Sequence, residues 1–154
     1  MILHYAIMSD LKPGATENGG LAVGQIFGSV ILGVAAVFFL VSACAAAVAP
    51  DRFAGLLGLQ TAGASGRNEV RAQYAGIFLM ITLACLAALA GYAPRQAAFI
   101  VLVVALGGCT VGRLASLVTD RGFGGYNAVI RALFAVDTLG FVAASAGLLT
   151  ASAG

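Results

Sequence analysis

Between residues 21 and 49 no side chain carries a charge. An α-helix rises about 1.5 Å per residue, so about 20 apolar residues cross the ~30 Å hydrocarbon layer of a bilayer. No water in that layer can satisfy a backbone N–H or C=O, so a segment that crosses it must bond those groups internally, as a helix does. Three more apolar runs follow, at about 73–93, 97–118 and 126–150. Composition agrees: 61% of the residues are hydrophobic, 9% are charged, and the mean hydropathy is +1.03. A soluble domain carries about 25% charged residues, and this chain has no such polar coat for water.

The reading is therefore an all-α fold, a four-helix transmembrane bundle. A tail at 1–20 precedes a single transmembrane domain at 21–154, with spans at about 21–49, 73–93, 97–118 and 126–150. Pro50 closes the first span. Residues 50–69 form a connector, in which RFAGLLGL lies as a short interfacial turn and the Gly/Ser-rich remainder reads as loop. Pro94 and Arg95 make a tight connection, and TDRGFGG makes a short turn. Short connectors place spans two, three and four as antiparallel neighbours.

Arginines set the expected orientation. Arg52, Arg67, Arg71, Arg113, Arg121 and Arg131 fall in or near the first and third connections, while Lys12 and Arg95 belong to the opposite side. That bias puts both termini on the non-cytoplasmic side of a bacterial inner (cytoplasmic) membrane. "VSAC" at 41–44 has the form of a lipoprotein processing site, and the residues before Pro50 loosely resemble a signal-peptidase site. The apolar run starts late, is too long for a signal core and lacks a basic start, so it is expected to be a retained span.

Several chemistries find no residues to carry them. His4 is the one histidine and lies in the tail, so a multi-histidine metal or haem site within one chain is ruled out. Cys44, Cys85 and Cys109 stand singly in apolar runs, as small hydrophobes do. There is no Ser/His/Asp set and no phosphate loop, so a non-enzyme without intrinsic cofactor or metal is expected. Net charge is +2 with dispersed arginines, which gives nucleic acid no basic patch.

Charges at membrane depth are the exception to this blandness. Arg113 lies seven residues before Asp120, about two turns and nearly one face of a helix. It sits roughly 10 Å deeper than Asp120. Arg131 and Asp137 descend along span four, and Glu69 and Arg71 lie at the entry to span two. Glu69, Arg71, Arg113, Asp120, Arg131 and Asp137 thus converge on the cytoplasmic half and sum to zero charge. Arg113 is expected to point inward and pair with Asp137 or Asp120. Asp137 is the costliest of the six, because its short side chain cannot reach the interface as arginine does. The network either fixes helix register or lines a ligand site.

Small residues recur four apart at Gly24/Gly28, Ser29/Gly33, Ala72/Gly76, Gly108/Gly112 and Gly140/Ala144. Membrane helices associate by close approach at such faces. Gly24, Gly28, Gly108 and Gly112 are the chosen helix-packing candidates.

NEVRAQYAGIFL at 68–79 and GRLASLVTDRG at 112–122, followed by an acid in the last span, carry a resemblance. They resemble a group of small bacterial four-helix membrane proteins catalogued as a domain of unknown function, over about residues 67–150. The resemblance implies that Glu69, Arg71, Tyr74, Gly76, Gly112, Arg113, Ser116 and Asp120 belong to the family pattern. The acid of span four is typically glutamate there and is Asp137 here. No activity follows from it.

Two functions remain. The first is an accessory or scaffold subunit of a larger respiratory or photosynthetic membrane complex, with membrane lipids and other membrane subunits as partners. The second is a carrier for a small solute or a lipid- or quinone-like ligand, using Arg113 and Asp137. Bound lipid, quinone or pigment is compatible with either. A subunit buries an outer helical face against another chain; a carrier encloses a cavity that reaches Arg113.

Overall fold

A computed structural model describes residues 15–119, 122 and 125–152. His4, Lys12, Asp120 and Arg121 lie outside the described residues. The chain is an all-helical transmembrane bundle. Its helices are α1 (Ala15–Val48), α2 (Pro50–Leu56), α3 (Gly63–Val70), α4 (Ile77–Leu89), α5 (Arg95–Thr119) and α6 (Ala128–Ser152), with a π-helical turn at Arg71–Gly76 joining α3 to α4. Four helices are long and apolar enough to cross a membrane: Val23–Val48, Gly63–Leu89, Arg95–Thr119 and Ala128–Ser152.

Helix ends follow local chemistry. Pro50 stands in the first turn of α2, where no N–H is needed. Gly58 (φ 76°) and Gly91 (φ 80°) sit just past α2 and α4 in the left-handed region that glycine adopts without cost. In both places the two following N–H groups fold back onto the last turn: Gly58 to Gly55 O and Leu59 to Ala54 O, Gly91 to Ala88 O and Tyr92 to Ala87 O. This double bond pattern satisfies carbonyls that the helix end would orphan. The polar stretch from Gly63 to Glu69, expected as loop, is helical. It continues without a break into an apolar span, and adding a turn to an existing helix avoids the cost of nucleation.

Around the bundle, α1 lies along α4, α4 along α5, α5 along α6, and α6 returns to α1. The inward face of α1 carries Gly28, Leu32, Ala36, Phe39, Ala43 and Ala46, three and four residues apart. Its outward face carries Val30, Val34, Val37 and Val41, as a lipid-facing surface requires. From the other helices Ile81, Cys85, Phe99, Leu102, Leu106 and Ala144 close the core. Buried Thr82 and Thr110 donate to the Phe78 and Leu106 carbonyls one turn back, which keeps their hydroxyls satisfied without water. Of the three cysteines only Cys85 is buried; Cys44 and Cys109 are exposed.

Glycines set the closest approaches. The Phe99 ring sits between α1 and α6. A Cβ on Gly28 would lie 3.5 Å from it, and one on Gly147 would overlap it. A Cβ on Gly24 would lie 3.8 Å from Thr150. Along α5 and α6 the contact is reciprocal: Gly107 faces Phe141 and Gly140 faces Leu106, each with 3.0 Å for an added Cβ. Gly108 and Gly112 do not take part, since a Cβ on either would meet nothing within 4 Å among the described residues. One residue is about 100° around a helix, so a packing stripe centred on Gly107 turns Gly108 away from α6.

Candidate functional site

Toward the end of the bundle that holds α2 and the connection between α5 and α6, the helices enclose rather than interlock. Arg113 lies six residues, about 9 Å, inside the end of α5, and Asp137 about 13 Å inside the start of α6. The two helices run antiparallel, so both side chains arrive at similar depth. Arg113 Nε donates to Asp137 Oδ2 at 2.7 Å, with the side chains 24% and 8% exposed. Of the two partners the sequence leaves open, this is the one met among the described residues.

Pairing lowers the cost of charge at this depth, which is ~2.5–3.5 kcal/mol for a lone ionised side chain at a helix centre. One carboxylate still cannot occupy a guanidinium. The group has five N–H donors in a planar fork, and a single carboxylate accepts at most two in parallel. At least three remain, and no other acceptor for Arg113 stands among the described residues. None of its nitrogens is both buried and without a partner, so the surplus donors are not sealed inside the protein.

Arg113 and Asp137 both stand in the wall of a cavity of about 600 Å³. Phe38 and Phe39 on α1, Phe78 on α4, Tyr74 on the π-helical turn and Phe53 on α2 all line it. Their rings touch in series, with centroids 5.3, 5.2, 5.8 and 5.2 Å apart along Phe38, Phe39, Phe78, Tyr74 and Phe53. Such separations are those of favourable edge and tilted ring pairs. Opposite this ladder stand Ala105 and Leu106 of α5 with Ile130 and Leu133 of α6. Leu56, Leu57 and Leu59 form the floor. Asn127 fastens that floor: its Nδ2 donates to Leu56 O at 3.4 Å, while its Oδ1 accepts from Ile130 N at the start of α6. Thr61 Oγ1 donates to Asp51 Oδ1 and ties the far side of the same segment.

Polar groups in the cavity wall are few. Ser42 Oγ donates to Phe38 O, and Gln73 Nε2 to Glu69 Oε1. Tyr74 contributes a hydroxyl, and Cys109 a thiol one turn from Arg113. A smaller cleft of about 260 Å³, lined by Gly112, Ser116, Tyr126, Ile130 and Phe134, shares Cys109 and Arg113 with the cavity. The arginine thus stands between two voids.

The other charges expected at this end take different partners. Glu69 accepts from Gln73 on its own helix. Arg71 Nε donates to Ala47 O at 3.1 Å, where the end of α1 offers carbonyls and negative dipole. Arg131 Nε donates to Tyr126 O at 3.0 Å. Glu69, Arg71 and Arg131 are exposed. The described part of the six-charge set thus holds one buried pair, with Glu69, Arg71 and Arg131 exposed around it. Gly112 and Ser116 border the cleft, Tyr74 borders the cavity, and Gly76 ends the π-helical turn. The aromatic ladder was not picked out in the sequence. Its available signal was Tyr74 and Phe78 four apart, on one helical face. The π-helical turn that aims Tyr74 has no comparable sequence mark, although such turns gather at functional sites.

The domain of unknown function DUF4345 matches residues 28–146, about three-quarters of the chain. The chain belongs to that family. The match takes in α1 from Gly28, the α2 floor, Arg113 and Asp137. No curated protein and no solved structure matches it.

Proposed function

We propose that this DUF4345 protein is a non-enzymatic multi-pass protein of the bacterial inner membrane, with both termini on the non-cytoplasmic side, that holds a lipid- or quinone-like ligand beside Arg113 and Asp137. The observation that carries this reading is the cavity of about 600 Å³ reaching the buried ion pair. Ligand sites are concave, mostly apolar spaces of about 300–1,000 Å³ with a few placed polar groups. The mostly apolar and aromatic lining favours an amphiphile over a small polar solute. The arginine distribution supports the orientation. The family description names no activity, so the reading rests on geometry.

A second reading, an accessory subunit of a larger membrane complex, has one observation in its favour. At Gly108 and Gly112 an added Cβ would meet nothing within 4 Å among the described residues, and such small-residue faces suit helix association in lipid. One experiment addresses both. The protein is extracted from native membranes in mild detergent and examined by native gel and native mass spectrometry. The expected result is a small particle carrying one amphiphile per chain, at lower occupancy in Leu133→Trp, which narrows the cavity. An unliganded chain, or a folded Leu133→Trp protein that keeps the same mass at the same occupancy, would overturn the ligand reading. Stoichiometric co-migration with a large complex would establish the subunit role instead.

A further inference from the structure

We infer that the cavity selects an amphiphile whose head is uncharged and offers a carbonyl oxygen, which accepts from the N–H groups of Arg113 that Asp137 leaves over. This deepens the ligand reading and rests on it. Charge is the first argument. Arg113 and Asp137 are the two ionisable side chains of opposite sign in the cavity wall, and they are in direct contact. Their charges cancel. A phosphate or carboxylate head would approach Arg113 with Asp137 already bound to it, in a medium too apolar to screen the repulsion. An ammonium head would meet the guanidinium. A neutral head avoids both.

Donor count is the second argument. After Asp137 takes its share, Arg113 keeps at least three N–H groups, and Tyr74 adds a hydroxyl with no hydrogen-bond partner among the described residues. Of the other polar side chains of the wall, Ser42 and Gln73 already donate within the protein, and the Cys109 thiol is a weak donor. The cavity thus offers more donors than it has acceptors to satisfy. The complement is a head with acceptor oxygens to spare, and a carbonyl supplies one. Shape is the third argument. Asp137 fixes the guanidinium through Nε, while the aromatic rings and Leu56, Leu57 and Leu59 line about 600 Å³ of mostly apolar space for a chain. Two membrane amphiphiles share that chemistry, an acylglycerol through its ester and a long-chain quinone through its ring.

The test uses delipidated full-length protein in maltoside detergent and four probes: monoolein, a decyl-benzoquinone, oleate at pH 8 and octadecene. Binding is read from the thermal unfolding midpoint and by competition. Monoolein or the quinone should bind about tenfold or more tighter than octadecene, as hydrogen bonds from a charged donor allow. Oleate should not exceed octadecene. Whichever carbonyl probe binds tighter identifies the source, and either supports the inference. In the double variant Arg113→Leu/Asp137→Leu the ratio of monoolein or quinone affinity to octadecene affinity should fall to about one, an effect that mere loss of packing would not produce. Should that variant fail to fold, Tyr74→Phe, which removes one oxygen, should lower carbonyl binding about 2–10-fold. Oleate binding as tightly as monoolein, or a carbonyl preference that survives the double variant, would overturn the head assignment alone. No binding of any probe, octadecene included, would overturn the cavity reading beneath it.

Discussion

The two ends of this bundle use the same helices in opposite ways. At one end Phe99 is wedged between glycines of α1 and α6, and Gly24 lies against Thr150. Arg95 and Gln96 at the start of α5 donate to Gln25 O and Ala151 O and tie the same end. At the other end the inward positions carry rings and long aliphatic chains that meet edge to edge or stop short, and about 600 Å³ is left between them. Close approach there is replaced by a floor, α2 and the residues after it, and by a single ion pair. The lesson is that a glycine-knit end can hold a bundle rigid while its opposite end keeps room for something else. Lipid gives no hydrophobic drive to close the gap, since a tail is as apolar as leucine.

The largest effect should come from splitting the ion pair. Arg113→Leu leaves Asp137 buried without a partner, and breaking a buried pair this way costs about 3–5 kcal/mol. Asp137→Leu should cost less, because a released arginine can extend toward headgroups and a released aspartate cannot. Replacing both with leucine should restore most of the loss. Unfolding midpoints in detergent for the three variants give the order. A double variant as unstable as Arg113→Leu would mean that the pair holds the open end together as firmly as glycines hold the other.

Next in size is an attack on the knit end. Gly147→Val sets a branched side chain against the Phe99 ring, and overpacking of that kind costs about 1–3 kcal/mol. Ligand retention should survive in whatever fraction stays folded, because Phe99 does not line the cavity. If Gly147→Val empties the cavity without lowering the midpoint, the two ends are coupled and the comparison fails. Asn127→Ala should cost about 1 kcal/mol, the usual value of a helix N-cap, since Asn127 Oδ1 accepts from Ile130 N. It also releases the floor at Leu56, so bound ligand should exchange faster although no ring or charge in the cavity has changed. Unaltered exchange would mean that the floor is held by its apolar contacts alone.

How much of this was legible in the sequence divides along the same line. The spans were readable because an uncharged run of this length has one stable form in lipid. The depth of Arg113 and Asp137 followed from counting residues inward from the ends of two antiparallel helices. The cavity was not readable, because its rings come from α1, α2, the π-helical turn and α4, and only the packed bundle brings them together. Helix rotation was not readable either. Gly108 and Gly112 match the close-packing pattern as well as any pair in the chain, yet α5 turns Gly107 to its neighbour. Many near-equivalent small residues leave the choice to shape on the opposing helix, here Phe141 and Leu106.

The smallest predicted effect is the most discriminating for that last point. Gly108→Ala adds a methyl group where nothing stands within 4 Å. Glycine inside a helix is worse than alanine by about 0.5–1 kcal/mol, so the isolated protein should be unchanged or slightly more stable. Its neighbour Gly107 supplies the control: Gly107→Ala puts the same methyl 3.0 Å from the Phe141 ring, so any helix-propensity gain is offset by strain. The midpoint should therefore be lower for Gly107→Ala than for Gly108→Ala, measured in detergent on the isolated chain. The same two variants are then compared by native gel after extraction from the membrane. If Gly108→Ala, harmless in isolation, releases the chain from a larger species, the open face of α5 is an interface and the subunit reading gains its missing surface. If both variants migrate as the unaltered protein does, a methyl group on that face disturbs no assembly, and the subunit reading gains no support from it.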